Sequence, residues 1–165
     1  MNIACYWFTG LSGTGKTTLA YALSSQLTTR QIKNQVLDGD ELRKTISADL
    51  GFSKQDRDTQ VERVYKIAHE LQQQNIVPII SLISPHAQAR SLAIQKLKAV
   101  EIYLEAPLTV LQRRDVKGLY AKALKGELKN LTGVDAPYDI PANPSIHLRT
   151  DLLSINDCIK QLLNS

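Results

Sequence analysis

Aromatic residues are scarce in this sequence: one Trp, two Phe and six Tyr make up 5% of its 165 residues. A core with so few rings must rest on Leu, Ile, Val and Ala. Cysteine is scarcer still, with only Cys5 and Cys158, at opposite ends of the chain. Two thiols without metal-ligand spacing exclude a disulfide framework and a zinc module; no bridge between them is expected, and a cytoplasmic, reducing compartment is. No apolar run is long enough to cross a bilayer: the longest, 76–83, is broken by Pro78 and Ser81. The stretch 3–8 has no basic segment before it and runs straight into a glycine loop, so it is not expected to be a signal peptide. There is no dense Lys/Arg stripe either. The net charge of +4 suits a polyanionic small ligand and no nucleic acid or membrane partner is expected. With 43% hydrophobic and 22% charged residues, disorder and collagen-like structure are excluded.

Short β-rich runs alternate with longer helical patterns, without repeats or linkers. That alternation predicts an α/β domain over 1–165 with a parallel sheet flanked by helices. Strands are expected at 3–9, 35–38, 77–83, 100–105 and 145–148. A helix from 16 to about 31 places Leu19, Leu23 and Leu27 on one face, and a long helix at 56–74 does the same with Val61, Val64, Ala68 and Leu71. Further helices are expected at 88–97, after Pro107, at 119–125 and at 155–163. The segment 115–143, with Gly118, Gly126, Gly133, Pro137 and Pro141, reads as a long excursion.

The strongest local signal is Gly10-Leu11-Ser12-Gly13-Thr14-Gly15-Lys16-Thr17. It fits G-x-x-x-x-G-K-[ST] and lies between a predicted strand and a predicted helix, as a phosphate loop requires. Glycines let backbone N–H groups turn into one concavity, and the helix N-terminus adds its dipole. Lys16 would reach the outer phosphates, and the Thr17 hydroxyl would ligate Mg²⁺. A GTPase switch protein is the competing class, because Asp115-Val116-Lys117-Gly118 fits D-x-x-G. It follows a predicted helix instead of a strand, and no N-K-x-D run reads guanine.

Asp38-Gly39-Asp40 follows the second strand, at a strand end where open parallel sheets bind ligands. Two carboxylates there suit a Mg²⁺-bound water and an acceptor hydroxyl; a helix cap at 41–46 is the plainer alternative. Arg43 falls on the same helical face as Asp40. Of Arg57, Arg63, Arg90, Arg113, Arg114 and Lys117, two or three are expected to serve the transferring phosphoryl group. Arg113-Arg114 before the glycine-bearing excursion suggests a mobile lid. His69, His86 and His147 have no ligand spacing, and ordinary packing or surface roles are expected for them, as for Tyr120, Tyr138 and Cys5.

Nearly the whole chain resembles the adenylyl-sulfate kinase family. The matching blocks are Trp7-Phe8-Thr9-Gly10-Leu11-Ser12-Gly13, Leu37-Asp38-Gly39-Asp40, Leu50-Gly51-Phe52-Ser53, Asp56-Arg57, Ile83-Ser84-Pro85, Arg114-Asp115-Val116-Lys117-Gly118-Leu119-Tyr120, and Thr132-Gly133 with Ala136-Pro137-Tyr138. The resemblance implies a P-loop nucleoside-kinase-like, three-layer fold with a five-stranded parallel sheet and a lid over about 114–143. It implies transfer of the γ-phosphate of ATP, with Mg²⁺, to the 3′-hydroxyl of adenosine 5′-phosphosulfate, and a homodimer. Lys16, Asp40 and Asp38 are the implied catalytic residues, and Thr17 and Asp38 the metal ligands. ATP falls to Gly10, Ser12, Gly13, Thr14, Gly15, Lys16, Thr17, Thr18, Arg114 and Lys117. The acceptor falls to Asp40, Arg43, Phe52, Arg57, Gln60, Ile83, Ser84, Lys117, Leu131 and Thr132; Ser84 is a phosphoserine in some members.

Three positions depart from the family pattern. Gln60 stands for Asn, Leu131 for a second aromatic that sandwiches the acceptor base, and His86 for Tyr. The first strand is expected almost at residue 1, so the usual N-terminal extension of the family is expected to be missing. Gln60 and Leu131 touch the acceptor only, so the alternative is a relative that phosphorylates another nucleotide, such as cytidine diphosphoramidate in capsule synthesis.

Overall fold

A computed structural model describes residues 4–115 and 117–164. Strands β1 (Tyr6–Thr9), β2 (Asn34–Asp38), β3 (Val77–Ser81), β4 (Val100–Glu105) and β5 (Ile146–Arg149) form one parallel sheet in the order β2-β3-β1-β4-β5. This is the predicted sheet; Ile3, predicted in the first strand, lies outside the described residues. Because side chains alternate along a strand, neighbouring residues feed opposite layers. Phe8, Ile79, Ile102 and Leu104 pack with Leu19, Leu23 and Leu27 of α1 (Lys16–Thr29) and with Cys158, Ile159 and Leu162 of α7 (Ile155–Leu163). Trp7, Ile80 and Leu37 pack on the other face, with Val61, Val64, Ala68 and Leu71 of α3 (Lys54–Gln73) and Ala93 and Leu97 of α4 (Ala87–Leu97). Both helical stripes read from the sequence are therefore buried, and the three layers follow.

Several boundaries differ from the sequence reading by two or three residues; the first strand, expected from 3, begins at Tyr6. The third strand ends at Ser81 instead of 83, because the chain turns at Ser84, where φ is 42°. The helix expected at 41–46 is instead α2 (Gly39–Arg43), and Asp38, not Asp40, caps it by accepting from the N–H groups of Asp40 and Glu41. Helix α3 starts at Lys54 behind a capping box in which Ser53 and Asp56 bond reciprocally. After β4 come α5 (Leu108–Arg114) and α6 (Leu119–Leu124). A third apolar cluster, Ala106, Leu111, Tyr120 and Leu131, gathers this excursion against Leu11 of the phosphate loop. At Gly133, where φ is +86°, a Cβ would lie 2.7 Å from the Leu11 side chain, so the loop and the strap at 125–143 touch backbone to side chain.

A parallel sheet sends every strand's C-terminal end to one edge. The loop after β1, the Asp38–Asp40 turn after β2, the Ser84 turn after β3, α5 after β4 and Thr150 after β5 therefore converge. The chain order reverses across β1, whose neighbours β3 and β4 lead to opposite sides of the sheet, and ligands bind at such a switch point. Among the described residues no helix is long and apolar enough to cross a membrane.

Candidate active site

A cleft of about 730 Å³ opens at that edge. Its wall includes every residue nominated from the sequence except Gly10. Gly10 serves beneath the loop: its φ is +147°, and a Cβ there would collide with the Leu104 carbonyl oxygen, so only glycine lets β1 turn this close to β4. Gly15 is the N-cap of α1, a helix of 14 residues whose first N–H groups face the loop.

Lys16 folds back and donates to the Leu11 carbonyl at 2.8 Å. Burial, and then Lys117 nearby, hold its pKa down at about 7. The carboxylates of Asp40 and Asp38 pull the other way without restoring the ordinary value. Thr17 Oγ1 donates to Asp38 Oδ2 at 2.6 Å and lies 3.2 Å from Ser81 Oγ. Oxygens from α1, β2 and β3 thus meet beside the loop, a donor set that fits a hard divalent cation. Asp38 is therefore both helix cap and candidate ligand, the two roles that the sequence left open. No group of three or more His, Cys, Asp or Glu residues able to hold a metal occurs among the described residues.

Across the cleft, Phe52 stands 57% exposed with Arg43 Cζ 4.5 Å and Arg57 Cζ 5.6 Å from its ring centre. Arg43 donates to the carbonyls of Leu50 and Gly51, and Arg57 to those of Phe52 and Asn130. Burial lowers the pKa of both guanidinium groups, and each keeps an open side toward the cleft. Gln60 is buried, and its amide donates to the Gly39 carbonyl at 3.0 Å. Lys117 pairs with Asp40, joining residues 77 apart in the chain. Arg114 donates to Gly13 O and to Thr150 O and Oγ1.

Of the six cations singled out, Arg57, Arg114 and Lys117 line the cleft. Arg63 pairs with Asp49 at the surface, and Arg90 is a buried strut bonded to Glu101, Ser84 O and Asp139 O. Leu131 is turned into the third cluster, and the Thr132 hydroxyl beside it is buried without a partner. The Ser84 hydroxyl points inward, 1% exposed, accepting from Trp7 Nε1 and bonded to Thr9 Oγ1 and Leu82 O. A phosphoryl group there would have to break that network, so the geometry gives Ser84 a structural place in the wall. Asp115 spends both carboxylate oxygens on the N–H groups of Tyr120 and Ala121, as a cap for α6 and not as a switch aspartate; Val116 of the D-x-x-G run lies outside the described residues.

Tyr120, Tyr138 and Cys5 pack as expected. His86 bonds Asp58 and His147 bonds Glu105, while His69 lies against Tyr65. Both cysteines are free and buried. The sequence reading missed one wall: Thr150 and Leu153 from the β5–α7 turn and Ile155 and Cys158 from the first turn of α7 line the cleft. The strand-end rule applied to the last strand would have found it.

A profile of the adenylylsulphate kinase family matches residues 2–149. The chain belongs to the adenylylsulphate kinase family. An adenylyl-sulfate kinase of Deinococcus deserti is 48% identical over 159 residues, covering 96% of this chain and 88% of that protein. One of Chloroflexus aurantiacus is 47% identical over 158 residues, covering 95% and 85%. Among solved structures, the APS kinase of Mycobacterium tuberculosis in complex with AMPPNP and APS superposes with a TM-score of 0.93 at 38% identity, covering 98% of this chain and 95% of that one. A shikimate kinase of Aquifex aeolicus, 16% identical with a TM-score of 0.58, shares the fold. Family membership sets aside the GTPase switch alternative.

Proposed function

We propose that this protein transfers the γ-phosphate of ATP to the 3′-hydroxyl of adenosine 5′-phosphosulfate, giving 3′-phosphoadenosine 5′-phosphosulfate and ADP. The observation that carries the reading is one cleft that holds both a phosphate loop and, across from it, a solvent-facing Phe52 between two arginines. The first set suits ATP; the second suits a nucleotide base with an anionic tail.

Lys16 and the loop N–H groups would bind the ATP phosphates, and Thr17 and Asp38 would hold Mg²⁺. The cation supplies charge neutralisation for the phosphates when bound. Arg43 and Arg57 bind the phosphosulfate, and Phe52 packs on the base. Asp40 orients the 3′-hydroxyl for in-line attack and accepts its proton as the new P–O bond forms and the bond to ADP breaks. Lys117 leaves Asp40 for the phosphates when the lid, about 114–143 of a single kinase domain, closes and excludes water. A homodimer and a cytoplasmic location belong to the same reading. One solved relative, from Thiobacillus denitrificans, is hexameric, so light scattering on the purified protein is the check on assembly.

A coupled kinase assay with adenylyl sulfate and cytidine diphosphoramidate side by side tests the function. Turnover of adenylyl sulfate with at least a tenfold preference is expected. A protein inactive on adenylyl sulfate would overturn the proposal and leave the ATP site standing.

A further inference from the structure

Three successive carbonyls of the phosphate loop are each held by a side chain. Leu11 O accepts from Lys16 Nζ and Thr14 Oγ1, both at 2.8 Å. Ser12 O accepts from the Tyr120 phenol at 2.7 Å, and Gly13 O from Arg114 at 3.1 Å. The middle bond stands apart, because its donor comes from the middle of the lid cluster. Tyr120 is 2% exposed, packed with Ala106, Leu111 and Leu131. Its backbone is pinned as well, since Asp115 accepts from the N–H groups of Tyr120 and Ala121, each at 3.0 Å. Burial pushes the phenol up to about 12, so it remains a donor throughout the neutral range.

A trans peptide sets its C=O and N–H on opposite sides of one plane. No cis bond occurs among the described residues. A donor that fixes Ser12 O therefore also fixes the direction of the Gly13 N–H. Gly13 has φ +83° and a residue of such freedom sets no direction by itself. Among the described residues no protein acceptor takes that N–H, whereas the next one, of Thr14, is spent on Leu11 O. The Gly13 N–H is thus a donor left over by the fold, aimed away from Tyr120 and lining the cleft wall.

We propose that Tyr120 is a positioning residue for phosphoryl transfer: by donating to Ser12 O it holds the Ser12–Gly13 peptide with the Gly13 N–H turned toward the phosphates, and so couples the lid helix to the phosphate loop. This rests on the reading of the loop as the ATP site and is independent of which acceptor is used. A preorganised donor acts on developing charge without reorganisation at the moment of reaction. Loss of the phenol frees the peptide to rotate, while the ring keeps its packing.

The test is Tyr120→Phe. Its kcat is expected to fall about tenfold to a hundredfold, somewhat less than the loss of a whole oxyanion donor, with KM for the acceptor within about twofold. The second readout needs no turnover. On saturation with ADP and Mg²⁺, the Gly13 amide proton of the wild type shifts downfield in a ¹⁵N-edited spectrum; in Tyr120→Phe that shift falls to less than half, and the Gly15 shift is retained. An unaltered Gly13 shift in the variant overturns the proposal, even with reduced kcat, because the phenol would then act through lid packing alone. A wild type whose loop amides ignore ADP overturns both this proposal and the ATP reading. If Tyr120→Phe fails to fold, the wild type decides: a slowly exchanging Tyr120 phenol proton with a nuclear Overhauser contact to the Ser12 or Gly13 Hα protons is expected, and its absence overturns the assignment.

Discussion

Arg57 Nη2 donates to the carbonyl of Asn130 at 2.6 Å and thereby ties α3 to the strap that carries Leu131. The same guanidinium donates from Nε to Phe52 O. One side chain therefore spaces two walls of the cleft, on the side proposed to take the acceptor, and itself lines that cleft. Arg57→Ala is expected to raise the acceptor KM tenfold to more than a hundredfold, since a charge-assisted hydrogen bond is worth about 1.5–3 kcal/mol. Affinity for ATP, read by calorimetry, should stay within about twofold. Equal losses for ATP and acceptor would place Arg57 in the general support of the cleft.

Lys16 predicts a proton uptake. With its pKa held at about 7, it is largely uncharged at pH 8 in the ligand-free protein. Bound phosphates favour the charged form and raise that pKa, so nucleotide binding at pH 8 should take up close to one proton. Uptake should fade as the pH drops below 7, where Lys16 is already charged. Calorimetry in buffers of different ionisation enthalpy reads the number directly. Lys16→Met should abolish the uptake and reduce phosphoryl transfer by several orders of magnitude, as loss of a cation on the transferring group does. Uptake unchanged in Lys16→Met would assign the proton elsewhere.

Asp38 separates its two roles under substitution. Asn caps helices about as well as Asp, so Asp38→Asn should keep the bonds to the N–H groups of Asp40 and Glu41 and leave thermal stability nearly unchanged. It removes the negative charge beside Thr17, and the Mg²⁺ concentration for half-maximal rate should rise about tenfold. Asp38→Ala should show the same Mg²⁺ defect and lose about 1 kcal/mol of stability besides. A Mg²⁺ titration of Asp38→Asn that overlays the wild type would take Asp38 out of the metal site.

The parts of this site that carry unusual chemistry were legible in the sequence, and the parts made of ordinary residues were not. Glycine spacing before Lys16 needs no tertiary context, because the loop is a local structure between one strand and one helix. The cap at Asp38 was misplaced by two residues. Its position depends on where β2 stops pairing, and Asp38 still pairs opposite Ser81 of β3, a partner far along the chain. The Leu153, Ile155 and Cys158 wall bears no chemical mark; it joins the cleft only because β5 is the edge strand beside β4. The pairing of Lys117 with Asp40 has no local signature at all.

Arg90 carries a stability prediction. It is 1% exposed, and all of its partners lie on other elements: Glu101 at 2.9 Å and the carbonyls of Ser84 and Asp139 at 2.7 Å each. Arg90→Met fills much of the volume and leaves a mostly buried carboxylate and two carbonyls unpaired. A loss of about 3–5 kcal/mol in urea unfolding is expected, the usual cost of removing one partner of a buried pair. A loss below about 1 kcal/mol would mean that water replaces the guanidinium.

Leu131 tests how the proposed acceptor base is held. It is 7% exposed and sits among Ala106, Leu111 and Tyr120, while Phe52 stands open on the other side of the cleft. In the proposed acceptor site a base would therefore meet one aromatic face, with at most the edge of a leucine as the second contact. A phenylalanine at 131 has two destinations. In the cluster it would overpack, at a cost of about 1–3 kcal/mol. Turned outward, it would complete a sandwich, and base–aromatic stacking is worth about 1–3 kcal/mol in nucleic-acid sites. The strap at 130–135 favours the outward course, because Asp135 holds the Asn130 and Leu131 N–H groups and leaves the side chain to rotate about a fixed backbone. Leu131→Phe is thus expected to raise kcat/KM for adenylyl sulfate roughly fivefold to a hundredfold, the kinetic equivalent of that stacking energy, with urea stability within about 1 kcal/mol. On cytidine diphosphoramidate, a smaller base, the same ring should crowd the pocket and lower kcat/KM. The four specificity constants, two proteins by two acceptors, give the answer. A wild type that prefers the cytidine substrate, with Leu131→Phe reversing the preference, would mean that leucine at 131 shaped this pocket for a pyrimidine and would replace the acceptor proposed here.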